Sequence, residues 1–142
     1  MHKSDQFTQQ EKDQIKNEVN AVIEGIVGEW VGLNAEGALQ YYSTDMVAVG
    51  DGGRSLIDYR AYRKLWLGVE AAASVKVTHT GGGIIYLTRD LVVCTWIGRV
   101  DIVQKSGEKI TLDPQVYTDV LRKVEGQWKV IYEHPSGTAV TA

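Results

Sequence analysis

Several common functions are excluded by what this sequence lacks. It has one cysteine, Cys94, so no disulfide framework can form within a single chain, as expected in a reducing compartment. Cys94 sits in the apolar run Leu91-Val92-Val93-Cys94-Thr95-Trp96 and reads as a small buried hydrophobe, because a reactive thiol wants a polar, partly exposed setting. No stretch approaches the ~20 apolar residues of a membrane-spanning helix. Met1 to Gln6 lack the apolar centre of a signal peptide, so the expected setting is the cytoplasm, with no membrane partner. Charge of one sign is also missing. The formal net charge is −3 and no Lys/Arg patch emerges, so there is no reason to expect a nucleic-acid partner. No His, Cys, Asp and Glu cluster has metal-ligand spacing, so no metal is expected, and the pattern calls for no cofactor. Gly81-Gly82-Gly83 is not followed by a helix and therefore reads as a bulge or hairpin rather than a phosphate loop.

The 142 residues, 44% apolar and 23% charged, fit one soluble domain spanning 1–142, with 1–7 as a flexible tail. From Thr8 to Leu33 the apolar residues Ile15, Val19, Val22, Ile23, Ile26, Val27 and Trp30 form one helical stripe, and Thr8 with Glu11 resembles a capping box. A short helix is predicted from Ala35 to Tyr42, broken by Ser43-Thr44-Asp45, before a strand at Met46–Val49. Gly50-Asp51-Gly52-Gly53 reads as a tight turn, and a third helix runs from Asp58, its N-cap, to about Val69. Segments 75–87, 91–104, 109–124 and 127–134 are rich in Val, Ile, Thr, Tyr and Trp and read as strands. Ser106-Gly107 and Glu125-Gly126 are their hairpin turns. Three helices followed by long strands predict an α+β fold, with a curved mixed or antiparallel sheet carrying the helices on its concave face.

The strand 91–104 is largely apolar on both parities, and Trp128, Val130 and Tyr132 share a parity opposed by Ile131. Helices cover one face of a sheet, so the other is expected to meet a second copy in a two-fold homodimer, with Trp128, Val130 and His134 on that outer side.

Arg99 and Asp101 share a parity with Val93, Ile97 and Val103, and charges among apolar neighbours must pair or face water. Asp119 on the next strand is the expected cross-strand partner of Arg99, and Glu133 on the last strand could approach the same space. Such a group could hold and activate a water, with Asp101 and Arg99 as catalytic candidates, or Arg99 could bind a ligand carboxylate. The third reading is a solvated ladder of charges on a twisted strand. His2 lies in the terminus, His79 on a strand before the glycines. Trp30, Tyr41, Tyr42, Tyr59, Tyr62, Trp66 and Tyr117 belong to the core, and some must line any cavity between helices and sheet.

The order of elements and the ending Glu125-Gly126-Gln127-Trp128 … His134-Pro135-Ser136-Gly137 resemble the nuclear transport factor 2-like superfamily, also called SnoaL-like, over about Thr8 to Gly137. Within it the chain is most similar to the association domain of calcium/calmodulin-dependent kinase II, including the stretch from Cys94 to Asp119. The resemblance implies a cone of three helices and a curved sheet that packs into oligomers through the sheet. It puts Arg99 at one pocket arginine, with Asp119 and Pro135 at two others, so the pocket has lost positive charge. Arg99-Val100-Asp101 is also similar to the Arg-x-Asp of limonene-epoxide-hydrolase-like enzymes, with Pro135 near the place of their second Asp and Glu133 as the only substitute. The ketosteroid-isomerase-like constellation is broken, its base falling near Gly50 beside Asp51 and its oxyanion Asp near Val120. The function expected is binding of an unidentified small molecule, by a floor of Arg99, Asp101, Asp119 and Glu133 and walls of Tyr117, Tyr62 and Trp66. The alternatives are a cofactor-free hydrolase or isomerase, or an oligomerisation module.

Overall fold

The structure, a computed structural model, describes residues 7–140. Most of the expected tail, His2 included, lies outside the described residues, but Phe7 packs against the core with its ring 6.2 Å from that of Tyr86. Helix α1 spans Gln9–Val31 and buries Ile15, Val19, Val22 and Ile26, the predicted stripe. Thr8 caps it by accepting a hydrogen bond from the Glu11 N–H at 3.0 Å, one half of a capping box. The Glu11 carboxylate also pairs with Arg89 at 2.7 Å.

Helix α2 is shorter than expected, Ala35–Leu39, and strand β1 runs over Tyr42–Gly50. Ser43-Thr44-Asp45 therefore does not break a helix but forms part of a strand. Tyr42 is buried and paired to Val130, and the β1–β6 register is irregular between Tyr42 and Val47. Tertiary pairing overrides the local turn propensity of these residues here. A 3₁₀ turn at Asp51–Gly53, with Gly52 at φ 64° and Gly53 at φ 89°, leads into β2 (Ser55–Asp58). Four mostly exposed residues give β2 too little pattern to be read from sequence. Asp58 caps helix α3 (Tyr59–Leu67) through the Ala61 N–H at 3.0 Å, as expected.

Four long strands follow: β3 (Ala72–Thr88), β4 (Leu91–Gln104), β5 (Lys109–Val124) and β6 (Gln127–Ala139). The six strands make one mixed sheet in the order β2-β1-β6-β5-β4-β3, antiparallel throughout except for the parallel β1–β6 pair. The fold is α+β, with the core between the helices and the inner face of the sheet. Val19, Leu39, Met46, Val92, Leu121 and Val130 are almost fully buried there, each removing enough apolar surface from water to contribute roughly 1.5–3 kcal/mol.

Two register shifts decide what faces this core. In β3 the pairing with β4 slips between His79 and Gly81, the bulge expected at the glycines. Gly82 has φ 153°, and a Cβ there would lie 2.3 Å from the Thr95 carbonyl oxygen, whereas a Cβ at Gly83 meets nothing within 4 Å. Gly82→Ala is therefore expected to destabilise the domain by about 2–4 kcal/mol and Gly83→Ala by under ~1 kcal/mol. Urea denaturation of both variants checks this, and equal small losses would refute it. The second shift lies in β6, where Val120 pairs with Tyr132 but Leu121 with Val130, so that Ile131 is an extra residue. This bulge corrects the expected outer assignment. Trp128 and Val130 are buried in the inner core, and the parity then reverses, so that Glu133 faces inward and His134 outward.

Candidate functional site

Strand pairing brings a polar group into the apolar interior. On β4 the inward parity is Val92, Cys94, Trp96 and Val100, all buried, so Arg99 and Asp101 lie on the opposite, outer face. Asp119 is opposite Cys94, and Glu133 is opposite Asp119, so both carboxyls point inward. The expected Arg99–Asp119 pair is thus not formed, because the two side chains emerge on opposite faces of the sheet. Arg99 is half-exposed and instead holds Asp101 at 3.0 Å and Asp113 at 3.8 Å, with Thr111 donating to Asp101 at 2.9 Å. These charges form half-exposed ion pairs on the outer face of the sheet. The guanidinium beside Asp101 and the Thr111 hydroxyl lower its pKa. Arg99 and Asp101 do not line the cavity that holds Asp119 and Glu133.

Asp119 and Glu133 are each 3% exposed. They line a cavity of about 30 Å³ together with Ile23, Ile26, Val27 and Trp30 from α1, Tyr42 from β1, Trp66 from α3, Trp96 from β4 and Tyr117 from β5. The rings converge from different elements at steep angles: Trp30 meets Trp66 at 74° and Tyr117 at 84°. Tyr42 donates to Glu133 Oε1 at 3.1 Å, and Tyr62 stands behind it with its hydroxyl 3.4 Å from that of Tyr42. Asp119 Oδ1 and Glu133 Oε2 are buried with no hydrogen-bond partner. Of the expected walls, Tyr117 and Trp66 line the cavity and Tyr62 supports it from behind.

Burial governs the electrostatics. It pushes Asp119 up to about 8. It pushes Glu133 up to about 8 as well, against the lowering effect of the Tyr42 hydrogen bond. Both carboxyls therefore hold protons at neutral pH. Burial and then the neighbouring Glu133 and Asp119 raise Tyr42 well above its ordinary value, and burial raises Cys94 to about 11, so that thiol stays protonated. The arrangement can donate hydrogen bonds from neutral carboxyls, accept them at two free oxygens, or exchange a proton near pH 8.

A larger cleft of about 700 Å³ opens between α1 and β3–β4, lined among others by Lys16, Glu24, His79, Cys94 and Trp96. It shares Ile23, Val27 and Trp96 with the inner cavity, so these three side chains partition the two. His79 stacks on Trp96 at 5.6 Å and 19°, and its Nε2 lies 2.7 Å from the Gly81 carbonyl oxygen.

The reading of the sequence had Tyr42 among the core aromatics but at a helix end, without its hydrogen bond to Glu133, and it missed the wall residues Trp96, Ile23 and Val27. Gly98 was the available signal for Trp96. A Cβ there would lie 2.4 Å from the Trp96 ring and 2.5 Å from the Thr78 carbonyl oxygen, so a glycine two residues on lets the indole lie along the inner face. Among the described residues, no three His, Cys, Asp or Glu side chains converge on one point, and no helix is long and apolar enough to cross a membrane.

Solved structures share this architecture at low identity. A candidate scytalone dehydratase from Novosphingobium aromaticivorans superposes with a TM-score of 0.83 at 13% identity, covering 92% of this chain and 89% of that one. A candidate dehydratase of the NTF2-like family from Streptomyces avermitilis gives 0.75 at 14% identity, covering 89% and 97%. The fold is that of the nuclear transport factor 2-like proteins. The association domain of calcium/calmodulin-dependent kinase II from C. elegans has it too, with a TM-score of 0.71 at 16% identity over 91% of this chain and 99% of that one. No protein-family model matches the chain, and no curated protein matches it. The NTF2-like cone thus serves proteins named for dehydration and proteins named for association, and fold alone does not choose between them.

Proposed function

We propose that this NTF2-like domain binds a small, largely apolar molecule inside the cone, with its polar group at Asp119 and Glu133, and works as a homodimer through the outer face of the sheet. The observation that carries the binding reading is the pair of buried carboxyls with unpartnered oxygens in an aromatic-walled cavity. Each unsatisfied buried oxygen costs about 1–3 kcal/mol, so a guest that supplied a hydrogen-bond donor to both would recover that cost. Tyr117 and Trp66 form the walls, and Arg99 and Asp101 take no part. A thermal-shift screen of small aromatic and aliphatic compounds tests this. Compounds that stabilise the native chain at a hundredfold excess over Kd should do so by about 2.7 kcal/mol. That stabilisation should vanish in Glu133→Gln and persist in Arg99→Ala. Loss in Arg99→Ala with retention in Glu133→Gln would move the site to the outer face.

A second reading, proton transfer on the bound molecule, draws support from one further feature: two acids that titrate near pH 8 are matched to acid–base work close to neutrality. Either carboxyl could move a proton between adjacent positions of a bound molecule without a cofactor. Deuterium exchange into a compound from the screen, followed by NMR in D₂O, checks it. Exchange should disappear in the double variant Asp119→Asn with Glu133→Gln, and no exchange in the native chain would leave the domain as a binder.

A further inference from the structure

The binding reading leaves open which polar group meets the carboxyls, and the lining of the cavity narrows the choice. Among the described residues no Lys, Arg or His side chain lines it; the lining residues with polar atoms are Asp119, Glu133, Tyr42, Tyr117 and the three tryptophans Trp30, Trp66 and Trp96. An anionic guest would meet two carboxyls and no positive charge. A neutral guest could take a hydrogen bond but would leave the ring wall unused electrostatically. A cation satisfies both, since carboxylates attract it directly and aromatic faces attract it through their quadrupoles. The volume of about 30 Å³ admits a group the size of one or two waters. That fits an unsubstituted ammonium and excludes a trimethylammonium. The adjoining cleft of about 700 Å³ lies in the size range of a ligand-binding pocket, has largely apolar walls and is separated from the cavity by Ile23, Val27 and Trp96.

We propose that the cavity receives the primary ammonium group of a small organic amine, held between Asp119 and Glu133, with the amine's apolar body leading out past Trp96 into the cleft between α1 and β3–β4. This rests on the binding reading above and names its ligand class. Binding ionises at least one carboxyl, and the displaced proton leaves to solvent. The groups facing the pair are the hydroxyls of Tyr42 and Tyr117, the Tyr62 hydroxyl behind Tyr42, and the Cys94 thiol opposite Asp119. Helix α1 contributes only Ile23, Ile26, Val27 and Trp30 to the cavity. None of these supplies a competing cation.

Three probes with one body distinguish the polar groups: benzylamine, benzyl alcohol and benzoate, titrated into the native chain by calorimetry at pH 6.0, 7.0 and 8.0. Benzylamine should bind at least tenfold more tightly than benzyl alcohol, and benzoate should not bind. Its affinity should rise roughly tenfold per pH unit below pH 8, with about one proton released per site, measured in buffers of different ionisation enthalpy. Asp119→Asn and Glu133→Gln, isosteric and relieved of a buried acid, should each weaken benzylamine at least tenfold, and the double variant should also remove the pH dependence. Benzyl alcohol or benzoate binding as tightly as benzylamine would overturn the amine assignment while leaving the binding reading intact. So would benzylamine binding without proton release. If none of the three binds or changes the tryptophan fluorescence of the native chain, the binding reading falls with it.

Discussion

Stability of this domain should fall as the pH rises from 5 to 8. Asp119 and Glu133 titrate near 8 in the folded chain, against ordinary values of 3.8 and 4.5. Across that interval the folded state holds protons that the unfolded chain has released, and the state that binds more protons gains as pH falls. Their contribution is present in full below the ordinary carboxyl range and is lost as pH climbs to about 8. Its slope is at most about 1.4 kcal/mol per group per pH unit. The surface carboxylates act in the opposite sense. Glu11, Asp45 and Asp101 have lowered values through Arg89, Ser43 and Arg99 respectively, so their contribution is lost only in acid, below the ordinary carboxyl range. The two windows scarcely overlap, which places the stability maximum between about pH 4 and 5. Urea midpoints at pH 5, 6, 7 and 8 measure the fall. The double variant Asp119→Asn with Glu133→Gln should flatten the curve and gain several kcal/mol at pH 8, because the amides have no charge to desolvate. A native curve that is flat or rising from pH 5 to 8 would show that the carboxyls are solvated, and the buried site would have to be abandoned.

The gain expected on neutralising these acids explains why the site was only partly legible in the sequence. Periodicity reports where apolar residues recur, so α1 and the four long strands were readable from Ile15, Val19 and Val22 and from the Val, Ile and Thr runs. Parity also showed that Arg99 and Asp101 share a side. It could not say which side is inside, since both faces of β4 are apolar: Val92, Cys94 and Trp96 on one, Val93 and Ile97 on the other. A salt bridge between Arg99 and Asp119 was the economical guess because buried charges usually pair. Here the carboxyls are buried unpaired and protonated, a state that no local pattern announces. Glu133 was assigned near the right space, but its parity relative to Trp128 depends on one extra residue at Ile131, and the sequence around Val130-Ile131-Tyr132 carries no glycine or proline to mark the bulge. Tyr42 was hidden for a related reason. Its strand begins four residues before the first apolar run because β6 offers a parallel partner, a contact separated by 88 positions in register.

Placing a carboxylate at Val116 should separate the proposed dimer into monomers that are still folded. The outer face of the sheet joins Val93, Thr95 and Ile97 of β4 to Val116, Thr118 and Val120 of β5 and Tyr132 of β6, with Ile85 of β3 61% exposed beside Val93. Charged side chains flank this apolar centre: Arg99, Asp101 and Asp113 towards one end, and Arg122 paired with Asp45 towards the other. An apolar middle within a polar rim is the anatomy of a protein interface, and among the described residues no helix covers it. A second copy is the occupant that two-fold symmetry brings most simply, since Val116 of one copy would lie near its own equivalent. Every substitution at the centre then acts twice. Val116→Glu would bring two carboxylates together without water, and Ile97→Asp likewise, so each should raise the dimer dissociation constant at least a hundredfold, about 2.7 kcal/mol. Val116 is only half-buried in the single chain, so its thermal midpoint measured as a monomer should stay within a few degrees of a native sample diluted below its dissociation constant. Arg99→Ala, at the rim, should shift the dissociation constant by less than tenfold. Sedimentation equilibrium of the three variants and the native chain reads all of these. A native chain that sediments as a monomer at 100 μM would remove the dimer from the proposal, and a Val116→Glu variant that remains dimeric would move the interface to another surface.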